Sequence, residues 1–451
     1  MRTCLRLLLL PLLLFCQLSL AQTKELNVAL YPWVPRVAQF EQAISNHWKK
    51  IHPDVKLNFI KDFSKWDGGY GPDPADDLDV FVFDAIYFDH YLMKNYLEPM
   101  APSSVGNPDD FIDYAKTGVM IGDKYYAVPQ LGCANLLFYR KGDAALAAVK
   151  TLSELDHYMG QCKYASRIPP GKDGLLIDMA GSTTTALLYL DALHRGNGIY
   201  PPRTPKDEYY LVPGVIDFLR NYISLASYEN ATKDVSAAYQ RARWFSDGYG
   251  RALMAYSEAL SVMSAQTRRE TAVKLFPLAN RSGRPLFYSD VIGVNRKTHQ
   301  RGVRDLAVRL AALMASSEVM QEAIGPDAEN PEPQYLLAAR HSVFKQLGAQ
   351  FPLYRDLYQL VQESNPQMFK LGPDARAWLS NWKKPIVQQV RANPACGCDQ
   401  LAATYISTAE MAKEVCPNTC NALGGWAGGW SNQYPAAPFG RAVCACKACS
   451  L

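Results

Sequence analysis

Short apolar runs and longer runs with helical periodicity follow each other along the first third of the chain. The strand-like runs lie at residues 26–30, 55–60, 78–83, 125–129 and 136–139, and the helical patterns lie at residues 39–52 and 87–96. Strands that alternate with helices of this length predict an α/β architecture in which helices cover a mostly parallel sheet. Ligands of such sheets bind at the carboxyl ends of the strands, beside the loops.

The rest of the pattern predicts a second lobe and a return to the first. Residues 143–277 are richer in helical patterns, and a strand follows at 289–295. One long amphipathic helix is predicted at residues 302–324. Over residues 24–385 this order resembles that of two-lobed solute-binding proteins, a type II periplasmic-binding-protein-like clamshell. Its site would lie in the cleft between the lobes, where pockets concentrate.

The chain is expected to divide into a leader, two lobes and a tail. A basic start, an apolar run at residues 7–20 and the small Ala21 predict a secretory signal peptide at residues 1–21. We expect the first lobe and its C-terminal helices at 22–130 and 285–390, the second lobe at 131–284, and a small disulfide-rich tail at 391–451. The mature protein is then secreted or periplasmic.

Charge and hydropathy exclude two classes of partner. The chain has 47 basic and 43 acidic residues, and loss of Arg2 and Arg6 with the leader leaves 45 against 43. This near-neutral balance argues against nucleic acid as a partner. Outside the leader no stretch is long and apolar enough to span a membrane. We expect a monomer without a membrane partner.

Most of the 11 cysteines lie in the tail. Cys4 and Cys16 belong to the leader, Cys133 and Cys162 stand alone, and seven lie between positions 396 and 449. A segment of about 55 residues buries little apolar surface, so disulfides are the expected staples in an exported chain. Their pairing is open, and so is the state of Cys162. Zinc held by closely spaced thiols is the alternative.

Cys133 is the first candidate for chemistry. It follows a predicted strand at the crossing between the lobes, beside Pro129 and Gly132. A thiol in a cleft is a nucleophile if a base removes its proton. Taken alone, an isolated cysteine is more often a small buried apolar residue.

Acidic and aromatic residues supply the other candidates. Glu258 stands among apolar neighbours, where partial burial would raise its pKa and suit it to take a proton from a thiol; the alternative is a solvated helix glutamate. Asp290 follows Tyr288 before the return strand, and Asp84 precedes Tyr87 in the first lobe. Facing each other across the cleft, such acids and tyrosines would bind a flat, cationic, nitrogen-rich ring.

Taken together, these segments closely resemble thiaminase I, or thiamine pyridinylase. The matching stretches are residues 128–141, 173–185, 256–258 and 287–295, which occur in the family's order and at its spacing. By this resemblance Cys133 matches the nucleophile and Glu258 the carboxylate that activates it. Asp84 and Asp290 match the acids that bind the aminopyrimidine. The residues that match the lining of the cleft are Tyr31, Tyr70, Tyr239, Tyr256 and Tyr288.

The resemblance implies a transfer reaction without a metal or an organic cofactor. The Cys133 thiolate would add to the pyrimidine ring of thiamine, the thiazole would leave, and an amine or thiol co-substrate would take the pyrimidinylmethyl group. The main alternative is a solute-binding protein that delivers thiamine or a related cation without changing it. No Gly-x-Ser-x-Gly, Walker, dinucleotide or His-Glu-x-x-His motif occurs, and the seven histidines are scattered.

The tail resembles small mannan-binding lectin repeats between Glu410 and Cys446. It has the cysteine pair, the tryptophan-glycine motif and the closing Cys-x-Cys of that pattern. Ala427 and Gly429 stand where that family tends to be polar. Two interpretations remain open: binding of mannose-type glycans by the exposed tryptophans, or a structural appendage closed by disulfides.

Overall fold

The computed structural model describes residues 24–159, 172, 174–177, 181–197, 211–212, 215–216, 219, 239–280, 283–392, 399–421, 425–432 and 442–446. The predicted signal peptide lies outside this part of the chain, as do Cys162, Cys396, Cys398 and Cys449. Within the described ranges, no helix is both long and apolar enough to cross a membrane.

The described strands build a seven-stranded sheet, a four-stranded sheet, a two-stranded ribbon and a three-stranded sheet in the tail. In chain order they are β1 (Lys24–Ala29), β2 (Val55–Phe59), β3 (Val80–Asp84), β4 (Met120–Ile121), β5 (Lys124–Tyr125), β6 (Val128–Cys133), β7 (Leu136–Arg140), β8 (Leu175–Leu176), β9 (Ala252–Ala255), β10 (Thr271–Leu275), β11 (Leu286–Val294), β12 (Leu337–Ala338), β13 (Gln367–Met368), β14 (Asp399–Leu401), β15 (Trp426–Ser431) and β16 (Val443–Cys446). The seven-stranded sheet has the order β12-β6-β11-β3-β1-β2, with β13 beside the start of β11. The four-stranded sheet has the order β10-β7-β9-β8.

Helices cover the sheets and fill the connections. The α-helices are α1 (Val37–Ile51), α2 (Phe88–Met93), α3 (Asp113–Gly118), α4 (Ala144–Ala148), α5 (Leu152–Met159), α6 (Ser182–Asn197), α7 (Gln240–Ser246), α8 (Ala265–Glu270), α9 (Thr298–Arg301), α10 (Arg304–Met314), α11 (Ser317–Ile324), α12 (His341–Gln350), α13 (Pro352–Ser364), α14 (Ala375–Ala392) and α15 (Ala409–Thr419). Short 3-10 helices lie at Ala85–Tyr87, Pro102–Ser104, Pro108–Asp110 and Ser257–Val262.

The large sheet is mixed, so the prediction of a mostly parallel sheet is wrong. Strand β1 pairs in parallel with β2 and β3, as the alternation of strands and helices predicts. Strand β11, however, returns from the second half of the chain and lies antiparallel between β3 and β6. Parallel neighbours in a sheet are joined by a crossover connection, usually a helix. A strand that enters the sheet from another lobe has no such connection to its neighbours and can pair with them in the antiparallel direction.

The single helix predicted at residues 302–324 is two helices, α10 and α11. Helix α10 ends before Ala315, and the Ser316 side chain accepts a hydrogen bond from the backbone NH of Val319 at 3.3 Å. Serine is a preferred N-cap residue because its oxygen satisfies one of the unpaired NH groups of a first turn. The apolar periodicity continues across the break, which is why the pattern concealed it.

The chain crosses between the two larger sheets twice, once after Cys133 and once before β11. Strand β6 stays in the seven-stranded sheet as far as Cys133, where it still pairs with β11, and β7 opens the four-stranded sheet at Leu136. The chain therefore changes sheet at Ala134–Asn135. The second crossing joins the end of β10 to the start of β11. The first crossing leaves the seven-stranded sheet at the end of β6, and the second enters it at the start of β11. Strands β6 and β11 are neighbours in that sheet.

The tail has a small apolar core of its own. Ala402, Ile406 and Ala412 pack there around the disulfides Cys416–Cys444 and Cys420–Cys446. These bridges tie α15 to β16, the middle strand of the β14-β16-β15 sheet. Disulfides are therefore confirmed for these four of the seven tail cysteines, and they supplement a core too small to hold the segment by burial alone.

Candidate active site

Four of the predicted site residues lie on one face of the seven-stranded sheet. Tyr288 of β11 is paired in register with Cys133, and Asp290, two residues further along β11, is paired with Asp84. Residues two apart on a strand point to the same face, and directly opposed residues share it. The thiol, the tyrosine and the two acids therefore form one patch where the chain crosses to the other sheet.

The sequence suggested that Asp84 and Asp290 face each other across the cleft, but in the structure they do not. They lie side by side on neighbouring strands because β11 pairs directly with β3. Burial and the charge of Asp84, followed by that of Glu258, raise the pKa of Asp290 well above its ordinary value. Two adjacent buried carboxyl groups resist ionising together, so ionisation of Asp84 opposes that of Asp290.

Two tyrosines extend the patch through Asp84. The Tyr70 hydroxyl donates to Asp84 Oδ2 at 2.8 Å, and the Tyr31 and Tyr70 hydroxyl oxygens lie 3.4 Å apart. The backbone NH of Ile86 donates to Asp84 Oδ1 at 3.0 Å. Burial raises the pKa of Asp84 to about 6, although both hydrogen bonds oppose the shift. Asp84 is thus held in a fixed orientation and changes charge near neutral pH.

Glu258 approaches the patch from the four-stranded sheet. It lies in the 3-10 helix Ser257–Val262 that follows β9, and only 8% of its surface is exposed. Its Oε2 atom has no hydrogen-bond partner among the described residues. Burial raises the pKa of Glu258 to about 7. The solvated helix glutamate considered for this position is therefore excluded, and the carboxyl group has the acidity of a base that works at neutral pH.

Cys133 is half-buried, and its thiol is free. Burial raises the pKa of the Cys133 thiol well above its ordinary value, and the nearby charges of Glu258, Asp290 and Asp84 raise it further, in that order. The resting sulfur is therefore protonated. A base must remove this proton before the sulfur can act as a nucleophile.

The remaining predicted tyrosines, Tyr239 and Tyr256, lie close enough to Cys133 for its charge to raise their pKa values. The Tyr256 and Tyr288 ring centroids are 5.7 Å apart, with an edge-to-face angle of 72°. Burial raises the pKa of Tyr239, and the charges of Glu258 and then Cys133 raise it further, so this tyrosine lies beside the candidate base. The structure thus brings all nine predicted site residues together, including Tyr31 and Tyr70, which rest on the shortest sequence matches.

Comparison with known proteins gives the family. A thiaminase-1 domain family model matches residues 134–279, and a mannan-binding protein family model matches residues 409–446. The Thiaminase-1 of Paenibacillus thiaminolyticus is 38% identical over 369 residues, which cover 80% of this chain and 86% of the relative. The chain belongs to the thiaminase I family.

Solved structures agree with this thiaminase I assignment. Thiaminase I of Clostridium botulinum, in complex with thiamin, is 35% identical, has a TM-score of 0.75, and covers 81% of this chain and 100% of that chain. The GacH receptor of Streptomyces glaucescens is 15% identical, with a TM-score of 0.58 over 82% of this chain and 94% of that chain, and this likeness shows the fold alone. The expected two-lobed clamshell is confirmed.

Two residues around the candidate site were missed by sequence reasoning, Phe369 and Arg376. The Phe369 ring lies 5.1 Å from that of Tyr288. Arg376 of α14 donates to the carbonyl oxygens of Gly69 and Pro72 and so holds the loop that carries Tyr70. No local motif marks these residues, because their partners lie far away in the sequence.

Gly132 is a further residue whose role only the structure reveals. It faces away from the thiol, and a Cβ atom at this position would lie 2.1 Å from the Tyr114 hydroxyl oxygen. Tyr114 therefore supports the strand directly behind Cys133. The glycine was visible in the sequence, but the ring that requires it was not.

Proposed function

We propose that this chain is a thiamine-degrading transferase, a thiamine pyridinylase, in which Cys133 is the nucleophile and Glu258 its base. The observation that carries the proposal is a free, half-buried thiol whose pKa is raised by the charge of Glu258, a buried carboxyl group whose own pKa is raised to about 7. The thiol comes from the seven-stranded sheet and the carboxyl group from the helix that follows β9 of the other sheet. This electrostatic coupling supports Glu258 as the proton acceptor for the Cys133 thiol.

The first step is a proton transfer. At neutral pH a substantial fraction of Glu258 is ionised, and it takes the proton from Cys133 Sγ when the substrate ring is in place. Because burial disfavours the thiolate, the free protein keeps its thiol protonated. A positioned base of this kind contributes about 10²- to 10⁴-fold to a rate.

The second step forms and breaks the covalent bonds. The thiolate electron pair forms a bond between Sγ and a carbon of the electron-poor pyrimidine ring. The bond between the bridging methylene and the thiazole nitrogen then breaks, and the thiazole leaves with that electron pair. As the ring becomes aromatic again the bond to Sγ breaks, and the departing thiolate takes back the proton that Glu258 holds. The amine or thiol nucleophile bonds to the methylene and loses its own proton to solvent.

The two aspartates and the tyrosines would bind the aminopyrimidine. An adjacent pair of acids that retains one proton offers both a donor and an acceptor to a ring that carries an amino group and ring nitrogens. In this assignment Asp84 and Asp290 hold the polar edge, while Tyr31, Tyr70, Tyr239, Tyr256 and Tyr288 line the rest of the site. Fixed groups of this kind stabilise charge that moves through the ring during reaction.

The test is base exchange with the purified protein. Incubation with thiamine and pyridine or aniline should give the exchanged product by mass spectrometry, and Cys133→Ser should abolish it while thiamine binding remains detectable. A fully active serine variant would refute the nucleophile. Return of intact thiamine by the native protein would instead support the solute-binding alternative.

We also propose the division of the chain and its export. The first lobe would comprise residues 22–130 with 285–390, the second lobe residues 131–284, and the tail residues 391–451. The change of sheet between β6 and β7 supports a boundary in this region. Cleavage after Ala21 and release of a monomer into the periplasm or the medium complete this proposal. N-terminal sequencing of the mature protein and its mass by light scattering would test it.

For the tail we propose binding of mannose-type glycans. The proposal is supported by the family match at residues 409–446 and by the half-buried Trp426 and Trp430 on β15. The Trp426 indole NH donates to the Gly429 carbonyl oxygen at 2.8 Å, which holds the glycine turn and leaves the Trp430 ring as the better candidate for stacking. Retention of the full chain on a mannan column, and its loss in Trp430→Ala, would support the proposal. If the native chain passes through the mannan column without being retained, the tail is a structural appendage instead.

A further inference from the structure

The two crossings between the sheets meet on one buried side chain, Asp191 of α6. Asp191 has no exposed surface. Its Oδ2 atom accepts from Asn135 Nδ2 at 3.1 Å, and its Oδ1 atom accepts from the backbone NH of Leu286 at 3.3 Å. Asn135 lies in the first crossing, and Leu286 begins β11 after the second. One carboxylate therefore holds both connections.

Arg195, one turn later on α6, completes a closed ring of interactions. Its Nε and Nη2 atoms each donate to Asp191 at 2.9 Å, and its Nη1 donates to the Phe276 carbonyl oxygen at 2.8 Å. The backbone NH of Phe276 in turn donates to the Asn135 carbonyl oxygen at 2.9 Å. A buried ion pair of this kind adds little net stability compared with apolar residues of the same volume, but it fixes geometry through bidentate contacts.

The ring reaches the candidate active site through Asn135 and Tyr288. Asn135 Nδ2 lies 3.4 Å from the Tyr288 hydroxyl oxygen. Asn135 follows Cys133 by two residues, Tyr288 follows Leu286 by two residues, and Tyr288 and Cys133 are paired in register. Among the neighbouring charges, that of Asp191 is the largest influence raising the pKa of Tyr288, after burial. The ring is thus linked both to the strand end that bears the thiol and to the tyrosine opposite it.

We propose that Asn135, Asp191 and Arg195 are positioning residues, which hold the Tyr288 hydroxyl and the Cys133 strand end in one fixed relation. The inference rests on the proposed function, since it assumes that Cys133 and Tyr288 act on the substrate. None of the three residues touches the reacting atoms, and they act through Tyr288 and the strand. A displacement of about 1 Å at a reacting centre lowers a rate about 10²-fold.

A double-mutant cycle between Asn135 and Tyr288 tests the link. Asn135→Ala should lower kcat about 10- to 100-fold in the native background and at least about threefold less in a Tyr288→Phe background, because the hydroxyl that it orients is already gone and only its hold on the Cys133 strand end remains. Equal losses in both backgrounds, or no loss in either, would overturn the proposal. A purely structural role would give equal losses. If Asn135→Ala does not fold, Asp191→Asn takes its place in the same cycle, with the same two outcomes.

Matched controls come from the far end of the same sheet. Asn295 is a buried asparagine that donates to the Ala75 carbonyl oxygen, and Asp79 is a buried aspartate paired with Arg301. Asn295→Ala and Asp79→Asn should lower the melting temperature while kcat of the folded protein stays within about twofold of native. A fall in kcat as large as that in the positioning variants would attribute both effects to general loosening and overturn the proposal.

A labelling experiment separates failure of this inference from failure of the proposed function. The rate of iodoacetamide labelling of the Cys133 peptide, measured by mass spectrometry without thiamine, should change at least threefold in Asp191→Asn and remain native in Asp79→Asn. Unchanged labelling together with unchanged turnover would refute the positioning role. Changed labelling in a protein whose native form turns over no thiamine would support the positioning role and refute the proposed function.

Discussion

Removing the charge of Glu258 should stabilise the protein above neutral pH while it inactivates the enzyme. The folded state raises the pKa of this carboxyl group from its ordinary value of 4.5 to about 7. Between these two values the folded chain keeps a proton that the unfolded chain has released. Stability is therefore lost as pH rises from about 4.5 through about 7.

The magnitude follows from the size of the shift. At about 1.4 kcal/mol for each pKa unit, the shift from 4.5 to about 7 corresponds to about 3 kcal/mol. Glutamine has nearly the same shape and cannot ionise, so Glu258→Gln avoids this penalty. We expect the variant to be more stable than the native protein by up to about 3 kcal/mol at pH 8 and nearly equal to it at pH 4.5.

Denaturant unfolding at the two pH values measures the difference. Glu98→Gln is a suitable control, because Glu98 is equally buried but its carboxylate is paired with Arg304 at 2.7 Å and with His299 at 2.9 Å. That variant should lose stability at pH 8. A Glu258→Gln variant that is no more stable at pH 8, or that gains equally at pH 4.5, would refute the argument from a buried, unpaired charge.

The same variant separates two roles of the carboxylate. Because the Glu258 charge raises the pKa of the Cys133 thiol, Glu258→Gln should let the thiol react with iodoacetamide at lower pH than in the native protein. Thiamine turnover should nevertheless fall about 10²- to 10⁴-fold, because the proton acceptor is gone. A thiol that becomes less reactive in the variant would contradict the electrostatic part of this account.

Three further outcomes are expected. The native kcat/KM should decline as pH falls through about 7, because Glu258 must be ionised in the free enzyme; a flat profile between pH 6 and pH 8 would exclude it as the base. A Cβ atom in Gly132→Ala would clash with the Tyr114 hydroxyl group, so this variant should be less stable by about 1–3 kcal/mol. Adding Tyr114→Phe should restore the melting temperature, because the next ring atom of residue 114 is 3.4 Å from that Cβ atom. A melting temperature that is not restored would refute the contact. Replacing both Cys416 and Cys444 by alanine should destabilise the tail by about 3–4 kcal/mol and leave thiamine turnover unchanged; a large loss of turnover would show that the tail supports the site.

The sequence predicted which side chains lie near one another better than it predicted the sheet that carries them. Local motifs mark Cys133, Glu258 and Asp290, and the structure brings them together, although their roles stay predictions. The pairing of Asp290 with Asp84 was misread as contact across the cleft, because a linear pattern does not tell which strand a returning strand will join. Only the register of β11 resolves this.

Other parts of the site could not have been predicted because their interactions join distant positions. Asp191 is separated from Asn135 by 56 residues and from Leu286 by 95, and nothing near any of them signals the contact. Buried polar groups must find partners wherever the fold supplies them. Periodicity identifies which face of helix α6 is apolar. It does not tell which distant backbone and side-chain groups Asp191 on that helix will bind.

The protonated resting state of Cys133 also has a consequence for its reaction with oxidants. Peroxides and disulfides react with thiolates far faster than with thiols. A sulfur atom whose ionisation is opposed by burial and by three acidic neighbours therefore reacts slowly with such oxidants. The chain can thus combine a reduced Cys133 with the disulfides Cys416–Cys444 and Cys420–Cys446 of its tail.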